Sequence, residues 1–192
     1  MKNEEILRRT EESIKELFEV IKRNPRSYGR EADIHFELYF LLSHNNYDTL
    51  WKTGCIEPEC DEIEEGEIDI VIYDPDLNEE RMAIAIEIKV DRDENKCVFE
   101  GFLEKKPVKV DGSKYGSVEW DFHKLSKIKE KFKDIILIFI YVKNVREIAK
   151  QSRVLSMDIE DVKKKINSYR TMYGEDIRTY ILNIDKKTFE NY

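Results

Sequence analysis

The sequence predicts an α/β fold, and three features of its 192 residues lead to that prediction. Helical periodicity and short runs of β-branched residues alternate along the chain, which is typical of helices packed on a sheet. The most apolar run, IILIFIYV at 135–142, has the length of a buried central strand and is too short to span a membrane. The chain length suits one domain, residues 1–192, with a substantial hydrophobic core.

The elements can be assigned in order from local pattern. Residues 1–25 predict an N-terminal amphipathic helix, about 3–23, that ends at Asn24-Pro25. The predicted order after it is helix, three strands, helix, strand, two helices and strand. The bounds are about 29–44, 48–56, 67–73, 83–90, 118–133, 135–142, 144–153, 158–172 and 178–184. Residues 91–117 predict a loop or hairpin over one edge, and residues 143–192 a C-terminal extension of helices and a strand.

Charge is distributed unevenly along the chain. The formal net charge is −8, made of −14 from residues 1–100 and +6 from residues 101–192. An acidic total argues against a simple nucleic-acid coat protein, but it suits an enzyme with an acidic metal-binding half and a basic substrate-binding half. The charged helical N-terminus does not resemble a signal peptide, and the three cysteines predict reduced thiols. We therefore expect a cytoplasmic protein with no membrane partner.

The run AIAIEIKV at 83–90 contains two charged residues inside a predicted buried strand. Side chains alternate between the faces of a strand, so Glu87 and Lys89 point to one face and the isoleucines to the other. Burying an unpaired charge costs several kcal/mol, so both groups need partners. Two explanations remain open: a Glu–Lys pair that satisfies itself at the end of the strand, or a metal site.

The preceding strand, EIDIVIY at 67–73, brings a third charge to the same place. A hairpin centred on Asn78 places Tyr73 opposite Ala83 and Asp69 opposite Glu87. Opposed side chains on one face have Cβ atoms about 4.5–5.5 Å apart. A register shifted by two residues is the alternative, and it would still place the acids in one patch.

Two carboxylates held this close destabilise the sheet unless a cation or a proton lies between them. Carboxylates, water and phosphate oxygens are the ligands that Mg²⁺ prefers. Lys89 could balance the charge or position a metal-activated water against a phosphodiester. The pattern therefore favours a functional site over a structural ion cluster.

Asp69, followed after one hairpin by EIK at 87–89, resembles the motif of the PD-(D/E)XK nuclease superfamily, although an isoleucine stands where the motif has proline. That superfamily includes type II restriction enzymes and archaeal Holliday-junction resolvases. The resemblance implies a restriction-endonuclease-like core, α-β-β-β-α-β, with a mixed sheet flanked by helices, which residues 29–142 can supply. It also implies that Asp69 and Glu87 bind Mg²⁺ or Mn²⁺ and that Lys89 completes the catalytic set.

The resemblance also implies a further acid from the first core helix, and two residues are candidates. Glu37 has apolar neighbours one helical turn away on both sides, so its carboxylate needs a reason to be buried. Glu31 lies in the first turn, where the helix macrodipole alone favours an acid. We predict Glu37 as the catalytic and metal-binding acid, with Glu31 as the alternative.

The helix at 118–133 predicts a surface for nucleic acid. Its core stripe consists of Val118, Phe122, Leu125, Ile128 and Phe132. A different face carries one aromatic and three basic residues: Trp120, Lys124, Lys127 and Lys131. Such a face suits phosphate contact and base stacking, and it is equally compatible with a solvated surface.

These observations together predict a metal-dependent phosphodiester hydrolase, an endonuclease in DNA repair, recombination or restriction. Its expected partner is duplex or branched DNA, with a homodimer as a possible assembly, and the sequence does not distinguish DNA from RNA. One alternative is a non-catalytic nuclease-like module for nucleic-acid binding or assembly. A third reading is a structural α/β protein whose polar strand residues pair internally.

Overall fold

The computed structural model describes residues 3–28, 30–45, 56–60, 67–73, 82–91, 108–110, 113–115, 117–132, 134–143 and 158–192. Its helices are α1 (Asn3–Arg23), α2 (Glu31–Asn45), α3 (Val118–Lys131) and α4 (Ile159–Tyr173), with a 3₁₀ turn at Pro25–Ser27. Its first strands are β1 (Ile56–Cys60), β2 (Ile68–Tyr73) and β3 (Met82–Asp91). The others are β4 (Val108–Val110), β5 (Ser113–Tyr115), β6 (Ile136–Lys143), β7 (Arg178–Asn183) and β8 (Thr188–Asn191).

A six-stranded mixed sheet organises the described part of the chain. Its strand order is β1-β2-β3-β6-β7-β8. The β1–β2, β2–β3 and β7–β8 pairs are antiparallel, whereas β3–β6 and β6–β7 are parallel. The short strands β4 and β5 form a separate antiparallel hairpin between β3 and α3. Because β3 and β6 are parallel, the chain must cross over between them, and α3 is part of that connection.

Helices cover both faces of the sheet. One core cluster packs α1 and α2 against the even-numbered residues of β3, including Ile84, Ile86 and Ile88. The other packs α3 and α4 against the opposite face, where Ala85 and Phe139 lie. Strand β3 is therefore buried on both sides, as its apolar composition predicts. None of the described helices is long and apolar enough to cross a membrane.

The predicted α/β class and most predicted elements are confirmed. The N-terminal helix, the three strands at 67–73, 83–90 and 135–142, and the strand at 178–184 lie within two residues of their expected bounds. The strand predicted at 48–56 overlaps β1 (Ile56–Cys60) at Ile56, and residues 48–55 lie outside the described part. The helix predicted at 144–153 also lies outside it. The sequence analysis missed β8, a four-residue strand.

The predicted register of the hairpin is confirmed over three residue pairs. Ile70 lies opposite Ile86, and the next two pairs follow the same register. At the turn, however, Tyr73 pairs with Met82 instead of the predicted Ala83, because an irregularity interrupts the register after Ile72. A bulge of this kind adds a residue to one strand locally and leaves the rest of the ladder in place.

Candidate active site

The central strand β3 places two charges inside the layer that α3 and α4 cover. Glu87 is 1% exposed and Lys89 8% exposed. In β6, their register partners are Phe139 and Tyr141, both of which belong to the core cluster on that side. Glu87 and Lys89 therefore share a face with large apolar side chains. Their charges need partners from other elements.

Two carboxylates accept hydrogen bonds from the backbone of β3 beyond the last residue pair that β3 forms with β2. The last recorded β2–β3 pair is Ile70 with Ile86. Beyond it, the backbone N–H of Ile88 donates to Asp69 Oδ2 at 2.6 Å. The N–H of Val90 donates to Glu31 Oε2 at 3.4 Å, a weak hydrogen bond. Side-chain oxygens thus replace a neighbouring strand in satisfying these backbone donors.

Helix α3 contributes an acid and a base that lie one turn apart. Ser117 begins the helix by accepting a hydrogen bond from the N–H of Trp120. Lys124 Nζ lies 2.7 Å from Glu87 Oε1 and donates to the backbone carbonyl of Glu67 at 2.9 Å. Asp121 Oδ1 lies 3.7 Å from the same ammonium. The helix therefore packs its polar residues directly against the charged part of β3.

Lys89 connects α2 to α3 through two ion pairs. Its Nζ lies 3.3 Å from Glu31 Oε1 and 3.4 Å from Asp121 Oδ2. Glu31 comes from the first turn of α2, on the opposite face of the sheet from α3. Side chains from the helices on both faces of the sheet meet at Lys89, because this residue lies beyond the last β2–β3 pair.

His35 joins this group from the next turn of α2. Its Nε2 lies 3.2 Å from Asp69 Oδ2. We call the seven side chains together the charged cluster. It consists of Glu31, His35, Asp69, Glu87, Lys89, Asp121 and Lys124.

The charged cluster is closed at one end and open at the other. The side chains of Glu87 and Asp121 are 1% and 2% exposed. Those of Asp69, His35 and Glu31 are 18%, 20% and 29% exposed. A ligand from solvent would therefore reach Asp69 and the α2 residues first, with Glu87 behind them.

Burial raises the pKa of two acids in the closed end. The pKa of Glu87 is raised well above its usual value by burial and by the neighbouring Asp69 charge, with Lys124 opposing that rise. Burial also raises the pKa of Asp121 to about 6, against the attraction of Lys89 and Lys124. Burial lowers the pKa of Lys89, but the surrounding carboxylates outweigh it and raise that pKa overall. Lys89 is therefore a permanent cation at neutral pH.

At the open end of the cluster, the pKa of the acid Asp69 is lowered. Burial opposes ionisation of Asp69, yet the His35 side chain and the two lysines lower the pKa of Asp69 overall. Burial likewise opposes protonation of His35, and Asp69 outweighs it, so the pKa of His35 is raised. These two shifts favour an ionised Asp69 beside a protonated His35.

The net charge of the cluster depends on Glu87 and His35. With every acid ionised, its four carboxylates and two ammonium groups sum to −2, but the raised pKa values favour a neutral Glu87 and a protonated His35, which bring the sum to 0. Three buried atoms of the cluster lack a hydrogen bond of good geometry to any described residue: His35 Nε2, Glu87 Oε1 and Asp121 Oδ2. Each of them has an oppositely charged neighbour instead. The carboxylate oxygens of Asp69, Glu87 and Glu31 are of the type that hard divalent cations bind, but the ammonium of Lys124 occupies Glu87 in this arrangement.

The described side chains do not by themselves form a metal cage. No three His, Cys, Asp or Glu side chains in the described ranges are grouped as metal ligands. At Glu87 the nearest cation is the ammonium of Lys124, and the buried acids are held apart by lysines.

The structure brings three of the four predicted catalytic residues together and places the fourth, Glu37, elsewhere. Asp69, Glu87 and Lys89 all belong to the charged cluster. Glu37 does not contact it in the described structure, where its carboxylate accepts a hydrogen bond from the Tyr28 hydroxyl at 2.9 Å. Glu31, the alternative, is the helix acid beside Lys89. The contacts therefore favour Glu31 over Glu37. The apolar neighbours of Glu37 did not distinguish the two acids, because Ile34 and Leu41 are buried whereas Phe40 is 53% exposed.

The predicted basic face of α3 is divided. Lys124 is buried against Glu87, so the expectation that it lies on one surface with the other three residues is wrong. Lys127 is partly exposed and pairs with Glu130, and Lys131 is exposed and lies over the Phe132 ring. Trp120 is partly buried, with its ring 5.2 Å from that of His123. The four residues share a side of the helix, as periodicity predicts, but at Lys124 that side packs against Glu87 of β3 and does not reach the surface.

Sequence reasoning missed His35 and Asp121. His35 follows Glu31 by four residues, so both lie on one side of α2. Asp121 precedes Lys124 by three residues and lies in the first turn of α3, where an acid is explained by the helix macrodipole alone. The spacing was available as a signal in both cases, but only long-range packing shows what these faces contact.

The raised pKa of Asp121 predicts an unusual dependence of stability on pH. Between about 3.8 and 6 the folded protein holds a proton on Asp121 that the unfolded chain has released, so stability falls as the pH rises through this window. We expect wild-type stability in EDTA, relative to Asp121→Asn, to fall by on the order of 2 to 3 kcal/mol between pH 4 and pH 7. Urea unfolding at several pH values measures it.

The control for this experiment is Asp161→Asn, which removes an exposed carboxylate from α4. It should follow the wild type across the whole pH range. Asp121→Asn also removes ion pairs, and this loss adds an offset to its stability. The informative quantity is therefore how the stability difference between the wild type and Asp121→Asn changes with pH. A difference that is constant, or that grows with pH, contradicts the prediction.

Comparisons of the chain with protein-family models, with curated proteins and with solved structures returned no significant match. The features of the protein that bear on its function are therefore the chemistry of the charged cluster and the fold that positions it.

Proposed function

We propose that the protein is a metal-dependent phosphodiester hydrolase acting on DNA. The observation that supports this most directly is the meeting of Asp69, Glu87 and Lys89 at the edge of β3, with Glu31 beside them. These residues come from three separate elements. Their convergence in a half-open position places the carboxylates of Asp69 and Glu31 where a ligand from solvent can reach them.

The proposed ion would be held by Asp69 and Glu87, with Glu31 as a further acid. When bound, Mg²⁺ or Mn²⁺ supplies a Lewis acid for the phosphate and lowers the pKa of a coordinated water. Asp69 is suited to this role because it is already ionised and lies at the open end. Glu87 is suited because a cation would stabilise a charge that burial disfavours.

Lys89 would act as a fixed positive charge. Its raised pKa makes it a poor proton acceptor, so its role is to hold the attacking water and to stabilise charge on the phosphate. Its two ion pairs fix the ammonium between the two helices that flank the sheet. That position leaves it close to Glu31, at the end of the cluster that solvent reaches.

The fold is compatible with the restriction-endonuclease-like core that the motif suggests. Between α2 and β6 the described elements occur in the order helix, three strands, hairpin, helix and strand. Without the hairpin, this order equals the proposed α-β-β-β-α-β core. The helix α1 and the elements α4, β7 and β8 would then be additions at the two ends.

One observation favours the third reading of the sequence, a structural protein whose charges pair internally. Lys89 and Lys124 do form ion pairs with the acids around them. A purely structural cluster would show no gain from divalent cations, because its charges would already be matched. The half-open position of Asp69 and Glu31 argues against this reading, and the response of the protein to divalent cations separates the two.

The first test is direct. Purified protein is incubated with plasmid, linear and branched DNA, and with single-stranded RNA, in Mg²⁺, Mn²⁺ or EDTA. Cleavage of DNA with either metal and none in EDTA supports the proposal. The substrate panel also separates endonuclease from exonuclease action and DNA from RNA. Intact substrates under every metal condition would contradict it.

We predict that Asp69→Asn, Glu87→Gln and Lys89→Ala each reduce cleavage at least about 100-fold, because each removes a metal ligand or the fixed cation. Initial rates on the best substrate measure the effect, and circular dichroism checks that each variant is folded. Asp161→Asn makes the same chemical change as Asp69→Asn on the exposed face of α4 and should retain the wild-type rate. Wild-type rates in all three variants would place the active site elsewhere.

Metal binding should also stabilise the folded protein. At a concentration 100 times the dissociation constant, a ligand specific for the folded state adds about 2.7 kcal/mol of stability. Mg²⁺ or Mn²⁺ should therefore raise the melting temperature of the wild type and of Asp161→Asn, whereas Glu87→Gln should lose most of the response. Differential scanning fluorimetry over a metal titration measures it. An unchanged response in Glu87→Gln contradicts the proposed ligand set.

The nucleic-acid surface can be tested with its exposed members. If Lys127 and Lys131 contact phosphates, changing both to glutamate should reduce the salt slope of duplex binding by up to about 0.9 per contact. The matched control changes Lys15 and Arg23, two exposed cations of α1 on the other face of the sheet, and should keep the wild-type slope. Fluorescence anisotropy in Ca²⁺ measures binding. Equal salt slopes in the two double variants would contradict the proposal that Lys127 and Lys131 contact phosphates.

A further inference from the structure

The buried ion pair between Lys124 and Glu87 is the tightest charge contact in the cluster. Its atoms are 2.7 Å apart, and the two side chains are 10% and 1% exposed. The ammonium also donates to the Glu67 carbonyl at the start of β2. Lys124 therefore joins α3 to the two strands that carry the proposed metal ligands.

This contact places a cation of the protein on a proposed metal ligand. Two cations that share one buried carboxylate repel each other strongly, because little water is present to screen them. A divalent ion that binds Glu87 must therefore displace the ammonium from Glu87 Oε1. Asp121 Oδ1, 3.7 Å from Nζ on the same helix, offers the ammonium another carboxylate.

Asp121 is suited to receive that charge. Its side chain is 2% exposed, and its Oδ1 atom faces the Lys124 ammonium at 3.7 Å. Its Oδ2 atom lies 3.4 Å from Lys89 Nζ and has no hydrogen bond of good geometry among the described residues. A shift of the ammonium towards Asp121 would keep Lys124 paired and would leave Glu87 free. The required movement is short, since one ammonium already lies near both acids.

We propose that Lys124 is an internal counter-ion: it occupies the Glu87 carboxylate in the metal-free protein, and it would move to Asp121 if a divalent cation took its place on Glu87, so that it would set the cation concentration at which the site fills. This inference rests on the proposed metal site. Lys124 is a positioning residue, because it acts on the ion through Glu87. It makes metal binding weaker than the acids alone would give, while keeping the metal-free protein folded.

The test measures Mn²⁺ affinity by the loss of the free-ion signal in electron paramagnetic resonance. Lys124→Met removes the charge and keeps an apolar stem, and Lys124→Gln removes the charge but keeps a hydrogen-bond donor. Both should bind Mn²⁺ at least about tenfold more tightly than the wild type, equal to about 1.4 kcal/mol. Lys124→Arg keeps a cation on Glu87 and should bind no more tightly than the wild type.

Two further variants separate direct competition from a general change of charge. Lys129→Gln removes a lysine of α3 that pairs with Asp176 and should leave Mn²⁺ affinity unchanged. Lys89→Met removes the same charge from within the cluster, but Lys89 pairs with Glu31 and Asp121. Its gain in affinity should therefore be smaller than that of Lys124→Met. Equal gains in these two variants overturn the inference, because they would show that only net charge matters.

The remaining outcomes are distinct from a failure of the proposed function. If the wild type binds Mn²⁺ and cleaves DNA while the neutral Lys124 variants bind no more tightly, the inference is wrong and the nuclease proposal stands. If the wild type neither binds Mn²⁺ nor cleaves DNA, both are wrong. Should Lys124→Met fail to fold, the comparison of Lys124→Gln with Lys124→Arg decides, with tighter binding by Lys124→Arg overturning the inference.

Discussion

The structure depends on one constraint: a central strand, covered on both faces, contains two charged side chains. Removing Glu87 and Lys89 from water costs several kcal/mol for each charge unless partners are supplied. Those partners come from the first turn of α2 and from α3. The same contacts therefore fix how α3 is rotated on the sheet and where α2 begins. The contacts that assemble the candidate site are therefore also contacts that pack the helices on both faces of the sheet.

Much of this arrangement could be predicted from local pattern. Alternation along β2 and β3 gives the face of each side chain directly, because the period of a strand is two residues. The short connection at 74–81 then limits the register, and the predicted pairing holds from Ile70–Ile86 to Ile72–Ile84. These features involve residues close in sequence, for which geometry leaves few alternatives.

The errors concern contacts between distant parts of the chain. Helix α2 has apolar residues around much of its surface, including the exposed Phe36, so periodicity could not show that Glu31 lies at the sheet edge and Glu37 does not. For Lys124 the predicted face was right, but its environment depends on where α3 docks. A basic residue on a helix is usually solvated, and only the docked position shows it beside Glu87. The strand β8 was missed because TFEN has no clear alternation and follows a turn in which Lys187 has a positive φ.

The parallel pairing of β3 with β6 has a consequence for how the protein folds. β3 ends at Asp91 and β6 begins at Ile136, so 44 residues, including α3, must close into a loop before the two strands pair. Hairpins form within microseconds, whereas a loop of this length carries a larger entropic cost of closure. The antiparallel strands can therefore form while Asp69 and Glu87 are still hydrated. Their dehydration comes with the docking of α3, and we expect changes at Glu87 or Asp121 to alter the rate of unfolding more than the rate of folding.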